Sequence, residues 1–262
     1  MSLPAKAGRF VSLLATHPGE FVDNLVDRGD LALERFRARS ELEPRPLPDV
    51  LEAIERPLRR EVAAYLAEPG LEQIGAEVDD AKRGLADGPF PAAYNADPAL
   101  ARLCYALTRA LRPGTVVETG VAYGMTSAFI AAALERNGAG LLHSVDRPPV
   151  EAGADDYVGV LVPEALRHRH ELLRGSSKRI LPGLLDRVGM VELFVHDSLH
   201  TYRNIQRELR MVTPRLASPA VVVADDAVNT AFSDWAARER PAYSSAVERS
   251  GCAVAVIAAG EV

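Results

Sequence analysis

Carboxylates stand where the apolar runs of this chain stop. "TVVETG" (115–120) ends in Glu118-Thr119-Gly120, "GLLHSVD" (140–146) in Asp146, "VELFVHD" (191–197) in Asp197, and "PAVVVADD" (219–226) in Asp225-Asp226. One acid at a strand end can simply cap the next helix. Several on the same edge point to a site, because ligands of open α/β sheets bind outside the carboxyl ends of the strands. Two histidines flank Asp197. His200 follows it at a helix entry, where a neutral imidazole can take a proton from a hydroxyl. His196 precedes it, leaves the opposite face of the strand, and reads as structural, bonded to neighbouring backbone. His143, inside a strand, reads as packing.

The stretch "VVETGVAYGMTS" (116–127) adds a glycine-bearing turn to the first acid. Gly120 lets a ligand approach the backbone, and Gly124 allows a tight turn into the helix after Tyr123. A strand-end acid some 20–30 residues on, here Asp146, can accept both ribose hydroxyls of a nucleotide. The loop has too few glycines for a dinucleotide pyrophosphate, and Glu118 beside it repels one. No tyrosine is followed four residues later by a lysine; the lysines are Lys6, Lys82 and Lys178. A ligand without a phosphate, carrying a cationic group such as an ammonium or a sulfonium, fits better. A nicotinamide-dependent oxidoreductase and a non-catalytic small-molecule-binding protein stand as the alternative readings.

These residues need a frame, and the chain supplies one from residue 113 onward. Short apolar, β-branched runs alternate with helical patterns: strands at 115–120, 140–146, 171–176, 191–197, 219–226 and 252–260, with helices between them. Runs apolar throughout belong to a parallel sheet covered on both faces. Right-handed crossovers make that sheet doubly wound. Only one strand stands out after residue 240, so a terminal hairpin is expected to be reduced. Residues 1–95 form a separate helical extension ahead of the 96–262 domain. "GRFVSLLATH" and "EFVDNLVDRGDLALERFRAR" are helical, "ELEPRPLPDV" (41–50) is a proline-broken extended linker, and Pro57 either breaks a further helix or stands in the first turn of one. Asp97 with Pro98 starts the next helix.

The 262-residue chain is 48% hydrophobic and 25% charged, with net charge −6, the signature of a globular chain. That charge argues against a nucleic-acid partner. No run reaches the ~20 apolar residues of a membrane span, and no signal peptide is read at the N-terminus. Cys104 and Cys252 are too far apart in sequence to form a metal-type pair, read as buried core, and fit a reducing cytoplasm.

Taken together, Glu-x-Gly-x-x-x-Gly after the first strand, Asp146 after the second, and acids after the fourth and fifth resemble class I S-adenosylmethionine-dependent methyltransferases. "YVGVLVPEALRHRHELLRGSS" (157–177), "LFVHDSLHTYRN" (193–204) and "VVVADDAVNTAF" (221–232) are similar to the metal-dependent O-methyltransferases of macrolide sugars, with relatives in cephamycin-type biosynthesis. The resemblance covers about residues 97–235. It implies a seven-stranded-type, Rossmann-like sheet that binds S-adenosyl-L-methionine through Glu118, Thr119, Gly120, Tyr123, Gly124, Ser127, Asp146, Ser176 and Ser177.

It also makes the fourth and fifth strands neighbours, so that Asp197, Asp225 and Asp226 meet. Three such carboxylates need a counter-charge. All-oxygen ligands suit Mg²⁺, with Mn²⁺ or Ca²⁺ as the other hard ions. The resemblance assigns Asp197 and His200 the catalytic roles, His200 as base for a hydroxyl whose pKa the metal lowers. The acceptor is a small hydroxylated molecule, a sugar or glycosylated metabolite. A lysine base is disfavoured, since no lysine follows Lys178. Asn229 reads as a supporting group, and Tyr202 and Arg203 as lining of the acceptor pocket or solvent-facing. The front helices cover the site or pack subunits into a homo-oligomer, and Phe90, Tyr94 and Asn95 lie over the cofactor or pack.

Overall fold

In the computed structural model, which describes residues 18–85, 88–90, 97–147 and 154–258, the chain folds around one eight-stranded sheet. The strands are β1 (Pro44–Arg45), β2 (Thr115–Thr119), β3 (Leu141–Asp146), β4 (His170–Arg174), β5 (Val191–His196), β6 (Leu216–Ala224), β7 (Tyr243–Val247) and β8 (Ala253–Ile257). Their order is β1-β7-β8-β6-β5-β2-β3-β4. All neighbours are parallel except β8, which runs antiparallel to both β6 and β7. The chain winds outward from β2 through β3 to β4, then returns to place β5 on the other side of β2. This reversal is the switch point at which such sheets bind ligands.

The helices are α1 (Pro18–Glu34), α2 (Leu47–Leu58), α3 (Pro69–Arg83), α4 (Pro98–Leu111), α5 (Met125–Asn137), α6 (Ser177–Val188), α7 (Tyr202–Val212) and α8 (Ala231–Glu239). Alternate strand residues feed two cores. Val116, Leu193, Val195, Val221 and Val254 pack with α2, α4 and α5 on one face. Val117, Phe194, Val222 and Ala255 pack with α6, α7 and α8 on the other. Both faces being dry is why these strands read as unbroken apolar runs. Helix α4 starts as its sequence demands: Asp97 caps Ala99 N at 2.9 Å with Pro98 in the first turn.

Three expectations change. The terminal hairpin is complete, with β7 paired to β8. β7 escapes a sequence reading because "YSSAV" carries two serines and is only partly buried. The proline stretch is not merely a linker. Pro44-Arg45 pairs with Ala246-Val247 as the eighth strand, and Pro48 falls in the first turn of α2. Proline is tolerated at both places, an edge strand and a helix start, because neither needs its N–H. Pro57 does not break a helix midway; it lies in the last turn of α2, one residue before the end.

Helix α2 buries Val50, Leu51, Ile54 and Leu58 in the core shared with the sheet, so the front segment is joined to the domain through that core. The helix expected at 8–17, together with Tyr94 and Asn95, lies outside the described residues. Among the described residues no helix is long and apolar enough to cross a membrane.

Candidate active site

The strand-end acids do lie along one edge, on β2, β3, β5 and β6. Parallel pairing of Val195 with Val223 and His196 with Ala224 brings Asp197 and Asp225 to adjacent strand tips. Asp225 N donates to His196 O at 2.7 Å, continuing the ladder one step past the strands.

Asp197, His200 and Asp225 form a cluster in which one ligand atom from each lies within 4.8 Å of the others. Asp225 Oδ1 is buried without a hydrogen-bond partner, and so is His200 Nε2. Asp226 is not in the cluster, contrary to expectation. Asp226 takes a left-handed conformation (φ 43°), its side chain is 59% exposed, and its Oδ2 lies 3.2 Å from His200 Nδ1. Asp226 thus orients the imidazole from behind, leaving Nε2 to face Asp197 Oδ1 at 3.7 Å.

The counter-charge expected from a metal is supplied here by His200 itself. Burial pulls its pKa down, but the carboxylates of Asp197 and Asp226, with the charge of Asp225, outweigh that and push it to about 10. Burial, and then the charge of Asp197, raise the Asp225 carboxyl to about 7, against the opposing charge of His200. In this protonation state His200 is a cation and not yet a base. Two converging carboxylates with an orphaned buried oxygen, beside an unpartnered imidazole nitrogen, form a donor set that fits a divalent cation. Such a cation would take over the role of the imidazolium and leave His200 neutral.

The loop after β2 forms the adjoining wall. Gly120 is required by the fold itself: at φ 86° a Cβ there would stand 1.9 Å from the carbonyl oxygen of Asp197. The glycine loop thus rests directly on the backbone of the acidic cluster. Gly124 (φ 88°) likewise abuts Gly159 Cα, where a Cβ would come to 2.8 Å. Asp146 accepts the loop amides of Val121 at 3.0 Å and Ala122 at 2.9 Å. It therefore shapes the loop, and a ribose contact would share the same carboxylate.

Glu118 is fully buried. Its Oε2 accepts hydroxyls from Ser127 and Ser144, both at 2.6 Å, and its Oε1 has no partner. Burial raises its pKa to about 8; the two serine hydrogen bonds lower it and the charges of Asp197 and Asp146 raise it. The unpartnered oxygen of this buried carboxyl lies beneath the glycine loop, where a positive charge would favour its ionised form. Ser127 acts through Glu118 rather than orienting the loop directly.

Other expected cofactor contacts turn elsewhere. Thr119 alternates to the far face of β2 and donates to Glu208 Oε2 at 2.6 Å. Tyr123 OH binds the backbone of Phe90 and its ring packs edge-on against Phe90. Ser176 donates to Asp23 Oδ2 at 3.0 Å. Ser177 is buried and, like Thr119, hydrogen-bonds Glu208.

Glu208 is the residue the sequence reading missed. It is fully buried and accepts from Thr119, from Ser198 Oγ at 2.9 Å, and from Asn204 Nδ2 at 3.1 Å, with His196 Nδ1 at 2.7 Å. Burial opposes its ionisation, but the charge and hydrogen bond of His196 bring its pKa down to about 2. His196 is therefore structural as expected, though bonded to this side chain and not to backbone. The signal was present: Glu208 sits between Ile205, Leu209 and Val212 on the buried stripe of α7, and an acid there must be paired. His143 is buried but not mere packing, since its Nδ1 lies 2.6 Å from Glu171 Oε2. Asn229 Oδ1 accepts from Ala231 N at 2.9 Å, at the start of α8.

Helix α1 straps this edge. Four of its acids fall at positions 23, 27, 30 and 34, one stripe of the helix. Asp23 binds Ser176, Lys178 and Arg179; Asp27 binds Arg147; Asp30 pairs with Arg203; Glu34 accepts from Tyr202 N and Asn229. Those partners follow β4, β3, β5 and β6, so α1 crosses the strand tips beside the site. Tyr202 OH donates to Asp234 Oδ2 at 2.9 Å, and Arg203 is largely exposed.

Residues 117–227 match a family model described as a methyltransferase domain. A methyltransferase from Podospora anserina, solved with S-adenosylhomocysteine, aligns with a TM-score of 0.52 at 11% identity, over 81% of this chain and 95% of that one. An O-methyltransferase from Bacillus cereus, also with S-adenosylhomocysteine, aligns with a TM-score of 0.50 at 14% identity, over 80% and 99%. No curated protein matches the sequence at a significant level. The fold is the Rossmann-like methyltransferase fold, with its mostly parallel central sheet extended to eight strands.

Proposed function

We propose that this chain is an S-adenosylmethionine-dependent O-methyltransferase that acts with a divalent cation on a hydroxyl of a small molecule. The observation that carries the reading is the shared wall: the glycine loop at Gly120 rests on Asp197, whose side chain meets Asp225 and His200 at the next strand tip. Cofactor loop and cation cluster are thereby side by side. The methyltransferase-domain match and the S-adenosylhomocysteine-bound structures of the same fold support the choice of cofactor. When bound, S-adenosylmethionine would supply an activated methyl group, and a cation held by Asp197 and Asp225 would supply Lewis acidity toward an acceptor oxygen.

The residues would act as follows. Glu118 offers its unpartnered Oε1 to positive charge under the loop, and Asp146 holds the loop amides in place. Asp197 and Asp225 hold the cation. Asp226 keeps His200 oriented, so that Nε2 is the nitrogen available to receive the hydroxyl proton. Positioning of oxygen and methyl carbon is the main catalytic contribution. Mg²⁺ suits the carboxylates, with Mn²⁺ as the alternative hard ion. The acceptor class, a sugar or glycosylated metabolite, rests on the resemblance of residues 157–177, 193–204 and 221–232 to sugar O-methyltransferases. Cysteines 104 and 252 are buried and unpaired, which supports a reducing cytoplasm.

Calorimetry with S-adenosylhomocysteine and with NAD tests the cofactor; binding of NAD alone sinks the reading. His200→Ala then separates two roles for the imidazole. The expected result is a 10²–10⁴-fold loss of kcat, roughly the span of general-base catalysis, with Mn²⁺ affinity retained. Loss of Mn²⁺ binding instead makes His200 a ligand, and an unchanged rate removes it from the site.

A further inference from the structure

The face of α1 turned away from the strand tips is apolar and bare. Val22, Leu25, Val26, Leu33 and Phe36 are 44–74% exposed, Ala32 is exposed, and a Cβ at Gly29 would meet nothing within 4 Å. Phe36 lies just past the helix, in a turn held by Phe36 N to Leu33 O. The spacing is that of a two-heptad seam: 22, 25/26, 29, 32/33, 36. It is also symmetric about Gly29. Val22 and Phe36 lie seven residues to either side, Leu25 and Leu33 four, Val26 and Ala32 three.

We infer that this stripe is the dimer contact of the chain, α1 packing antiparallel on α1 of a second copy about a two-fold axis at Gly29. A two-fold sets Val22 against Phe36, Leu25 against Ala32, and Val26 against Leu33, twice over, with the glycines facing at the centre. Such self-complementarity is what an isologous contact requires and what a foreign partner would not. Five apolar side chains in one row, 44–74% exposed, make a contiguous patch of roughly several hundred Å². The largest apolar patch of a protein is often functional, and this one would supply a substantial part of the ~800 Å² per partner of an ordinary stable interface. The opposite face of α1 is already fixed to the domain by Asp23, Asp27, Asp30 and Glu34. Dimerisation would therefore clamp the strap over each site. The inference stands whether or not the chain transfers methyl groups.

Sedimentation equilibrium of the full chain should give twice the 28.2 kDa chain mass. Leu33→Asp, at an exposed position, should leave the melting temperature near that of the wild type and weaken the dimer at least tenfold. Gly29→Cys should cross-link under mild oxidation. Helices ~8–10 Å apart bring facing Cα atoms within disulfide reach, and the native Cys104 and Cys252 are buried and do not compete. A chain that sediments at single mass, its stripe covered by its own residues 8–14 or left to solvent, overturns the inference. So does a dimer that Leu33→Asp leaves intact and Gly29→Cys fails to link.

Discussion

Glu118→Gln tests the buried end of the site by stability alone. The Glu118 carboxyl titrates near 8 in the folded chain against an ordinary 4.5, chiefly because it is buried. Between these values the folded chain holds a proton that the unfolded chain releases, so this group lowers stability as pH rises. Each pH unit in that window removes about 1.4 kcal/mol. For a chain of this length 1 kcal/mol moves Tm by ~2–4 °C, which gives a fall on the order of 3–6 °C per pH unit between about 5 and 8. Below about 4.5 the contribution is fully present, and above about 8 it is gone. Glutamine keeps the shape, and its amide oxygen can still accept the Ser127 and Ser144 hydroxyls. Its amine replaces the unpartnered Oε1, at a cost of about 1–3 kcal/mol that does not depend on pH. The assay is differential scanning calorimetry of both proteins from pH 5 to 9. The other titrating groups near the site are common to both chains, so the difference between the two profiles isolates residue 118. The variant should melt lower at pH 5 and gain steadily on the wild type as pH rises. Parallel profiles would refute the buried, proton-holding carboxyl.

Asp197→Ala or Asp225→Asn should abolish turnover while leaving S-adenosylhomocysteine binding largely intact by calorimetry, and excess chelator should do the same to the wild type; full activity in chelator rules out the cation. Asp226→Asn should cost kcat far less than Asp225→Asn, because Asp226 only orients His200 and is mostly exposed; equal losses would return Asp226 to the ligand set. Gly120→Ala should impair S-adenosylhomocysteine and Mn²⁺ binding together, since its methyl group would stand 1.9 Å from the Asp197 carbonyl; loss of one affinity without the other would refute the shared wall.

Strands buried on both faces announce themselves in the sequence, because every position must be apolar. β2, β3, β5 and β6 were legible for that reason, and so were the acids that end them. β7 was not, because a strand near the sheet edge tolerates serines, and β1 is two residues that, among the described residues, pair with β7 alone. Within the site, the sequence placed backbones but not side-chain directions. Strand alternation sends Thr119 and His196 to the face where Glu208 waits, and that partner lies 89 residues from Thr119. Asp225 and Asp226 look equivalent as letters. Only a left-handed backbone at 226 separates the one that joins the cluster from the one that holds His200. The acid stripe of α1 was readable as helical spacing, yet nothing local told what it binds.

Glu208 and Gly120 together explain why the two halves of the site cannot be tuned separately. Asp197 N donates to Thr119 O at 2.7 Å, and the Thr119 hydroxyl donates to Glu208, which also holds Ser198 and His196 on the next strand. One buried carboxylate thus fixes the last residue of β2 and both neighbours of Asp197. Gly120 then lays the loop on the Asp197 carbonyl with no room for even a methyl group. A displacement of the acidic cluster is therefore passed to the glycine loop through backbone contact, not through any flexible side chain. Methyl transfer needs the reacting oxygen and carbon held at ~3–3.5 Å. A site whose two ligand walls share one backbone crossing meets that tolerance by construction, at the cost that substitutions which shift that shared backbone, as Gly120→Ala would, should lower affinity for both ligands.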